Sequence, residues 1–126
     1  MHPVIPSSKR KNPGHYVPGM AHGGILYVSG QLSIDPATGL VPEGGIRPQT
    51  RQALANVDAV LREANLTRND VIMCRVYVPD VALWDEVNAE YAAFFGDHRP
   101  ARVVVPTTAL HHNCLVEIEA TAALPE

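Results

Sequence analysis

A single α+β domain, with two helices packed on one face of a mixed β-sheet, is the fold that the sequence predicts. The chain has 126 residues, which is a common size for one domain. Hydrophobic residues make up 46% and charged residues 18% of the chain, so it can build a core and is not a disordered segment. Short β-branched runs also occur together with two stretches of helical periodicity, which is typical of α+β folds.

The composition argues against several functions and predicts a cytoplasmic protein. The net charge is −3, whereas nucleic acids and anionic membranes favour basic surfaces. No apolar run approaches the roughly 20 residues of a membrane-spanning helix. The two cysteines, Cys74 and Cys114, make no disulfide framework at this length, which favours a reducing compartment. Residues 1–14 lack the apolar stretch of a signal peptide and are expected to form a flexible arm before a domain at 15–126.

The first β-structure is predicted to be a hairpin. Residues 25–29 form a short β-branched and aromatic run between glycines, which is typical of a strand. Tyr16, Val17 and Met20 are expected to pair with this strand through a turn at 22–24. A second turn is predicted at 35–39, where proline presets φ and glycine accepts a positive φ.

Two segments have helical periodicity. The first helix is predicted at residues 48–65, where Pro48 suits the first turn. The second is predicted to begin after Asp80, a good N-cap, and to end at Gly96. Trp84, near its start, fits either a core or an interface. The apolar positions that define the helices are Leu54, Val57, Leu61 and Ala64 in the first and Leu83, Val87, Tyr91 and Phe94 in the second.

Three further strands complete the predicted sheet. Residues 71–78 alternate in character and are predicted to form a strand. The face of this strand expected in the core carries Ile72, Cys74, Val76 and Val78. Residues 102–105 and 116–122 are predicted to form the last two strands and to pair antiparallel. Because two helices can cover only one face of such a sheet, the other face is either wet or buried against another subunit.

Two carboxylates are found on the last predicted strand. Glu117 and Glu119 project to the same side, with Cα atoms roughly 7 Å apart, opposite the side that faces the core. One interpretation is a solvated strand face. The other is a general base, because a neighbouring negative charge raises the pKa of a carboxyl group.

Arg102 shares one face of the preceding strand with Val104. If the last two strands pair, Arg102 reaches the same sheet surface as Glu117 and Glu119. There it either forms a salt bridge to one of these glutamates or binds the carboxylate of a ligand. The planar guanidinium group matches a carboxylate bidentately, which makes the second interpretation chemically specific.

No metal site, thiol nucleophile or phosphate-binding loop is expected. The six histidines lack the spacing of metal ligands. Cys74 falls on the core-facing side of its strand, and Cys114 has no identified base. The paired glycines at 23–24 and 44–45 match neither a dinucleotide-binding motif nor a P-loop.

Taken in order, segments between His15 and Ala122 resemble the RidA/YjgF family of enamine/imine deaminases. The most specific segments are residues 100–102 and 116–120, which have the family's relative spacing. The other matching segments are residues 15–19, 28–32, 35–39, 49–66, 88–91 and 94–95. The resemblance implies a chorismate-mutase-like fold and a homotrimer, in which three sheets form an inner barrel and the sites lie between subunits.

The resemblance also implies an activity. Family members hydrolyse short-lived imines such as 2-iminopropionate to 2-keto acids and ammonia, without a metal or an organic cofactor. By position, Arg102 would bind the substrate carboxylate and Glu119 would activate the attacking water. The residues that would contribute to the substrate pocket are Tyr16, Ser29, Gly30, Asn88 and Val104.

Position 104 departs from the family pattern. Many relatives have a cysteine where this chain has Val104, so a thiol nucleophile is excluded there and the pocket is more apolar. An imine bulkier or more apolar than 2-iminopropionate is therefore compatible with the pocket. The departure also motivates a second hypothesis, a non-catalytic trimer that binds small carboxylic acids and regulates a pathway. A third hypothesis, a chaperone-like or translation-inhibiting role, lacks the basic patch that RNA contact needs.

Overall fold

A computed structural model describes residues 1–7 and 14–125. Its helices and strands are β1 His2–Val4, β2 Gly19–His22, β3 Ile25–Leu32, α1 Ile46–Glu63, β4 Val71–Val78, α2 Trp84–Phe95, β5 Ala101–Pro106 and β6 Glu117–Ala123. The six strands form one sheet in the order β1-β2-β3-β6-β4-β5. Only β4 and β5 are parallel neighbours in these ranges, so the predicted α+β fold with a mixed sheet and two helices is confirmed. No described helix has both the length and the apolar character needed to cross a bilayer.

The predicted hairpin and the turn that follows it are confirmed. Strands β2 and β3 are joined by Gly23 and Gly24, both with positive φ. Positive φ at both positions gives a two-residue hairpin turn whose twist matches that of the sheet. The expected pairing of Tyr16 and Val17 is wrong, because β2 begins only at Gly19. In the second turn, Asp35 Oδ1 accepts a hydrogen bond of 2.8 Å from a backbone N–H two residues later.

The amino-terminal segment is more ordered than predicted. Strand β1 pairs antiparallel with β2, so the expectation of a flexible arm is wrong for His2–Val4. The pairing places Val4 in the core, and burial of this apolar side chain stabilises the edge of the sheet. The part of the predicted arm at residues 8–13 lies outside the described residues.

Both predicted helices are present, with different starting points. Helix α1 begins at Ile46, two residues before the predicted start, and buries an apolar face against β3 and β6. Asp80 caps a short 3₁₀ turn, Val81–Leu83, and its Oδ1 accepts a hydrogen bond of 2.9 Å from the Ala82 N–H. Helix α2 follows this turn and ends at Gly96, which has a φ of 67°.

The core face of β4 differs from strict alternation at its first residues. Cys74, Val76 and Val78 are fully buried, as predicted. Val71 is also buried, whereas Ile72 is 44% exposed, so the prediction of Ile72 in the core is wrong. The pairing of β4 with β6 changes register between Val71 and Met73, and an irregularity of this kind reverses the side-chain alternation locally.

The last two strands do not pair with each other, contrary to prediction. Helix α2 carries the chain from the end of β4 back to its start, so that β5 pairs in parallel with β4 at the edge of the sheet. Strand β6 instead lies between β3 and β4. The central position suits β6 because Ile118, Ala120 and Ala122 are all buried.

The sheet has one face covered by the helices and one that they leave uncovered, here called the open face. Pairing registers and side-chain alternation identify side chains that lie on it. Among them are Tyr27, Arg75, Tyr77, Val103, Glu117, Glu119 and Thr121. The predicted placement of Glu117 and Glu119 opposite the core-facing side is therefore confirmed.

Candidate functional site

The Arg102 side chain lies on the helix-covered side of the sheet. In the parallel pairing of β4 and β5, Arg102 is opposite the buried Cys74. Its Nη1 donates a hydrogen bond of 2.9 Å to Asn88 Oδ1. The guanidinium carbon lies 4.8 Å from the centre of the Tyr91 ring and 5.3 Å from that of Trp84, within cation–π range. Arg102 and Asn88, two of the predicted site residues, are therefore in direct contact.

Helix α2 supplies all three groups that hold this guanidinium. Trp84, Asn88 and Tyr91 are four and three residues apart, a spacing that places them on one side of a helix. The sequence interpretation left Trp84 open and assigned Tyr91 to the core, and so missed both as neighbours of Arg102. Their helical spacing relative to Asn88 is the sequence signal by which both could have been identified. These four residues, with Cys74, are called the arginine pocket below.

The arginine pocket contains a positive charge without an acidic partner. Within residues 1–7 and 14–125, no carboxylate lies within 4.0 Å of the Arg102 guanidinium. The predicted salt bridge to Glu117 or Glu119 is therefore wrong for this chain. Burial raises the pKa of the Cys74 thiol and of the Tyr91 hydroxyl, which keeps both groups neutral at physiological pH. A ligand carboxylate is the chemical complement of such a pocket.

Glu119 lies on the open face and is held by a tyrosine of the neighbouring strand. The Tyr77 hydroxyl donates a hydrogen bond to Glu119 Oε1. This bond is the main reason why the pKa of Tyr77 is raised, since loss of the hydroxyl proton would place two negative charges together. Arg75 is the register partner of Glu119 on β4 and lies on the same face.

Glu117 packs against a glycine of β3. A side chain at Gly30 would collide with Glu117 Oε2, so the carboxylate of Glu117 occupies the space that the glycine leaves. Burial raises the pKa of Glu117, and the charge of Glu119 raises it further, while His111 opposes the shift. The predicted effect of a neighbouring carboxylate on pKa is thus present, although burial is the larger cause. Tyr77, Glu117 and Glu119, with Gly30, are called the acidic cluster below.

The remaining predicted site residues lie near one cluster or the other. Val104 follows Arg102 on the same face of β5 and packs against the core. Ser29 and Gly30 lie where the β3–β6 pairing changes register. The Ser29 hydroxyl donates a hydrogen bond of 2.7 Å to the Val17 carbonyl, which ties β3 to the segment before β2. Tyr16 belongs to that segment, and half of its surface is exposed.

Arg102 and Glu119 therefore do not share a sheet surface, contrary to prediction. The arginine pocket lies on the helix-covered side and the acidic cluster on the open face. The reason is the strand order, because β4 separates β5 from β6 and Arg102 aligns with the core-facing Cys74. Among the residues that the structure describes, no group of three or more histidine, cysteine or acidic side chains is arranged to hold a metal ion.

Replacing Glu117 with glutamine is expected to stabilise the protein at neutral pH. The pKa of Glu117 is raised above its ordinary value of 4.5, so its contribution to stability is fully present below that value. The contribution is lost as pH rises through the raised pKa. Glutamine stays neutral, so the Tm should exceed that of the wild type by about 1–3 °C near pH 7.5 and match it near pH 4.

Thermal unfolding at several pH values measures this difference. Glu43→Gln, which removes a negative charge from an exposed loop position, controls for the change in net charge. A Tm difference between wild type and Glu117→Gln that stays constant from about pH 4 to 7.5 would contradict the prediction.

Comparison with known proteins gives consistent matches along almost the whole chain. A family model described as Endoribonuclease L-PSP matches residues 8–124. A RutC family protein of Pyrococcus horikoshii is 42% identical over 109 residues, 86% of each chain. A 2-iminobutanoate/2-iminopropanoate deaminase of Salmonella typhimurium is 40% identical over 112 residues, 86% of this chain and 87% of the relative. The crystal structure of E. coli TdcF with bound serine superposes with a TM-score of 0.93 at 30% identity, covering 99% of this chain and 100% of the other.

Proposed function

The chain belongs to the RidA/YjgF family, and from this premise we propose that it hydrolyses 2-imino acids to 2-keto acids and ammonia. The arginine pocket is the observation that carries the proposal. It presents a guanidinium held by Asn88 and two aromatic rings, with no carboxylate within 4.0 Å among the described residues. The Salmonella relative is named for two imino acids, and the TdcF structure holds serine. All three compounds carry a carboxylate next to the carbon that bears nitrogen.

In the proposed reaction, Arg102 binds the substrate carboxylate and Glu119 activates water. Nη1 of Arg102 already donates to Asn88, so the other guanidinium N–H groups are the ones directed to the ligand. Glu119 takes a proton from water while the water oxygen bonds to the imine carbon, which forms a tetrahedral carbinolamine. The protonated Glu119 then returns this proton to the nitrogen. As the C–N bond breaks and ammonia departs, the carbinolamine hydroxyl gives its own proton to the Glu119 carboxylate and becomes the carbonyl of the 2-keto acid. The protonated imine is already electrophilic, so this mechanism calls for no metal or organic cofactor.

The proposal includes a homotrimer with a chorismate-mutase-like arrangement and sites between subunits. Arg102 and Glu119 lie on opposite faces of the sheet in one chain, so Glu119 of one subunit is proposed to face Arg102 of its neighbour. Two exposed apolar side chains of the open face, Tyr27 and Val103, support burial of this face against other copies. In this arrangement the other substrate-binding positions are Tyr16, Ser29, Gly30, Asn88 and Val104.

A second candidate, a non-catalytic trimer that binds small carboxylic acids, is favoured by one observation. Val104 follows Arg102 on the same face of β5, so the pocket wall at this point is apolar and carries no reactive group. In this case Arg102 binds the ligand and Glu119 is dispensable.

We also propose a cytoplasmic location, because Cys74 and Cys114 are both free and buried thiols.

The hydrolysis of freshly generated imines tests the proposed function. The imines are made in the same solution by oxidation of L-alanine, L-leucine and L-phenylalanine, and their loss is followed with and without the protein. We expect faster loss with the protein, and the ranking of side chains describes the pocket around Val104. No acceleration for any imine, with a trimer confirmed by light scattering, would overturn the deaminase proposal. Binding of pyruvate that depends on Arg102 would then support the second candidate.

A further inference from the structure

Tyr77 is the one described side chain whose hydroxyl donates a hydrogen bond to the Glu119 carboxylate. We infer that Tyr77 is a positioning residue, which occupies Oε1 of Glu119 and leaves Oε2 as the oxygen that accepts the proton from water. The inference rests on the proposed function and adds a role that the family resemblance does not assign. A carboxylate held in one orientation presents its free oxygen to water without a rotational search, which favours proton transfer.

The pairing register shows that this contact is diagonal across the sheet. Tyr77 is the direct partner of Glu117, and Arg75 is the direct partner of Glu119. Diagonal neighbours across antiparallel strands lie about 7–8 Å apart, a distance that a tyrosine side chain spans. Tyr77 therefore reaches past the nearer Glu117 to bond with Glu119.

The surroundings of Glu119 leave Tyr77 as its fixed hydrogen-bond donor. Glu117, on the same strand, packs toward Gly30 and accepts no hydrogen bond from Tyr77. Arg75 lies opposite Glu119 on β4, yet its guanidinium makes no ion pair with a described carboxylate within 4.0 Å. The pKa of Tyr77 is raised by its bond to Glu119, so its hydroxyl stays protonated at physiological pH. Tyr77 is therefore a permanent donor and not an alternative base.

Tyr77→Phe tests this role, because it removes only the hydroxyl. We expect kcat for 2-imino acids to fall about tenfold while KM stays within about twofold and the Tm is nearly unchanged. Tyr27→Phe is the matched control, since it makes the same change on the same open face, opposite Thr121. In a Glu119→Gln background, Tyr77→Phe should cause little further loss, because the carboxylate that Tyr77 positions is already absent.

A tyrosine titration gives a readout that does not depend on activity. The four tyrosines are followed by ultraviolet absorbance, and the step missing from Tyr77→Phe is assigned to Tyr77. In Glu119→Gln this step should move to lower pH, because the bond to a negative carboxylate raises the pKa of Tyr77.

The possible outcomes separate this inference from the proposed function. Active wild type together with unchanged kcat in Tyr77→Phe would overturn the positioning role and leave the deaminase proposal standing. If the Tyr77 titration step is unchanged in Glu119→Gln, Tyr77 and Glu119 are not hydrogen-bonded, and the inference is overturned. If the wild type hydrolyses no imine, the proposed function fails and the catalytic part of the inference fails with it. The titration still shows in that case whether Tyr77 and Glu119 are hydrogen-bonded.

Discussion

Arg102→Ala is expected to lower kcat/KM for 2-imino acids by about 10²–10⁴-fold, the largest effect on substrate binding in this protein. Hydrogen bonds between charged partners contribute about 1.5–3 kcal/mol each, and a bidentate carboxylate contact loses two of them. The loss should appear mainly in KM, because the carboxylate is bound in the ground state as well as in the transition state. Steady-state kinetics with imines generated in solution measures the effect.

Two further variants show which property of Arg102 is needed. Arg102→Lys keeps the positive charge and loses the planar guanidinium group, so we expect an intermediate loss of about tenfold in kcat/KM. Arg62→Ala is the matched control, because Arg62 is exposed and pairs with Asp58 four residues earlier on α1. Wild-type kcat/KM in Arg102→Ala, with the oligomer intact, would rule out carboxylate binding by Arg102.

Glu119→Gln is expected to lower kcat by about 10²–10⁴-fold and to change KM by no more than a few-fold. Glutamine has nearly the same shape and can still accept the hydrogen bond from Tyr77, so the open face should keep its structure. The amide cannot take a proton from water at neutral pH, and loss of the general base is therefore the main change. Single-turnover kinetics with one imino acid separates the chemical step from binding.

Glu117→Gln is the comparison for this second prediction. Glu117 lies on the same strand and the same face but packs toward Gly30, so we expect kcat to fall less than tenfold. Equal losses in the two glutamine variants would show that the charge of the acidic cluster matters and not the proton acceptor at Glu119. Pyruvate binding that is normal in Glu119→Gln, together with an inactive wild type, would instead favour the non-catalytic candidate.

Local properties of the sequence predicted much of the fold. Strand β4 runs from Val71 to Val78, the bounds that its alternation predicted. The hairpin turn was also predictable, because two glycines between apolar runs match a turn that needs two positive φ values. Both helices were indicated by apolar periodicity. The later start of α2 reflects the 3₁₀ turn that Asp80 caps, which periodicity does not describe. Each of these features depends on a few consecutive residues.

Features that depend on distant residues were not predictable in the same way. Alternation placed Arg102 and Val104 on one face of β5 but did not show which face of the sheet this was. The neighbours of a strand decide that question, and the assumption that consecutive strands pair was wrong for β5 and β6. The register change near Ile72 likewise arises from pairing with β6, and the alternating sequence pattern of β4 does not indicate it. The residues of the candidate site were therefore predicted from the sequence, but their arrangement in space was not.

The placement of Arg102 and Glu119 on opposite faces of one sheet has a genetic consequence for the proposed trimer. If each site takes its arginine from one subunit and its glutamate from the next, a chain lacking Arg102 and a chain lacking Glu119 carry complementary defects. Coexpressed in one cell, the two inactive alleles would form mixed trimers in which some sites combine both intact residues. Two copies that each fail alone would thus restore the activity together, as in intragenic complementation.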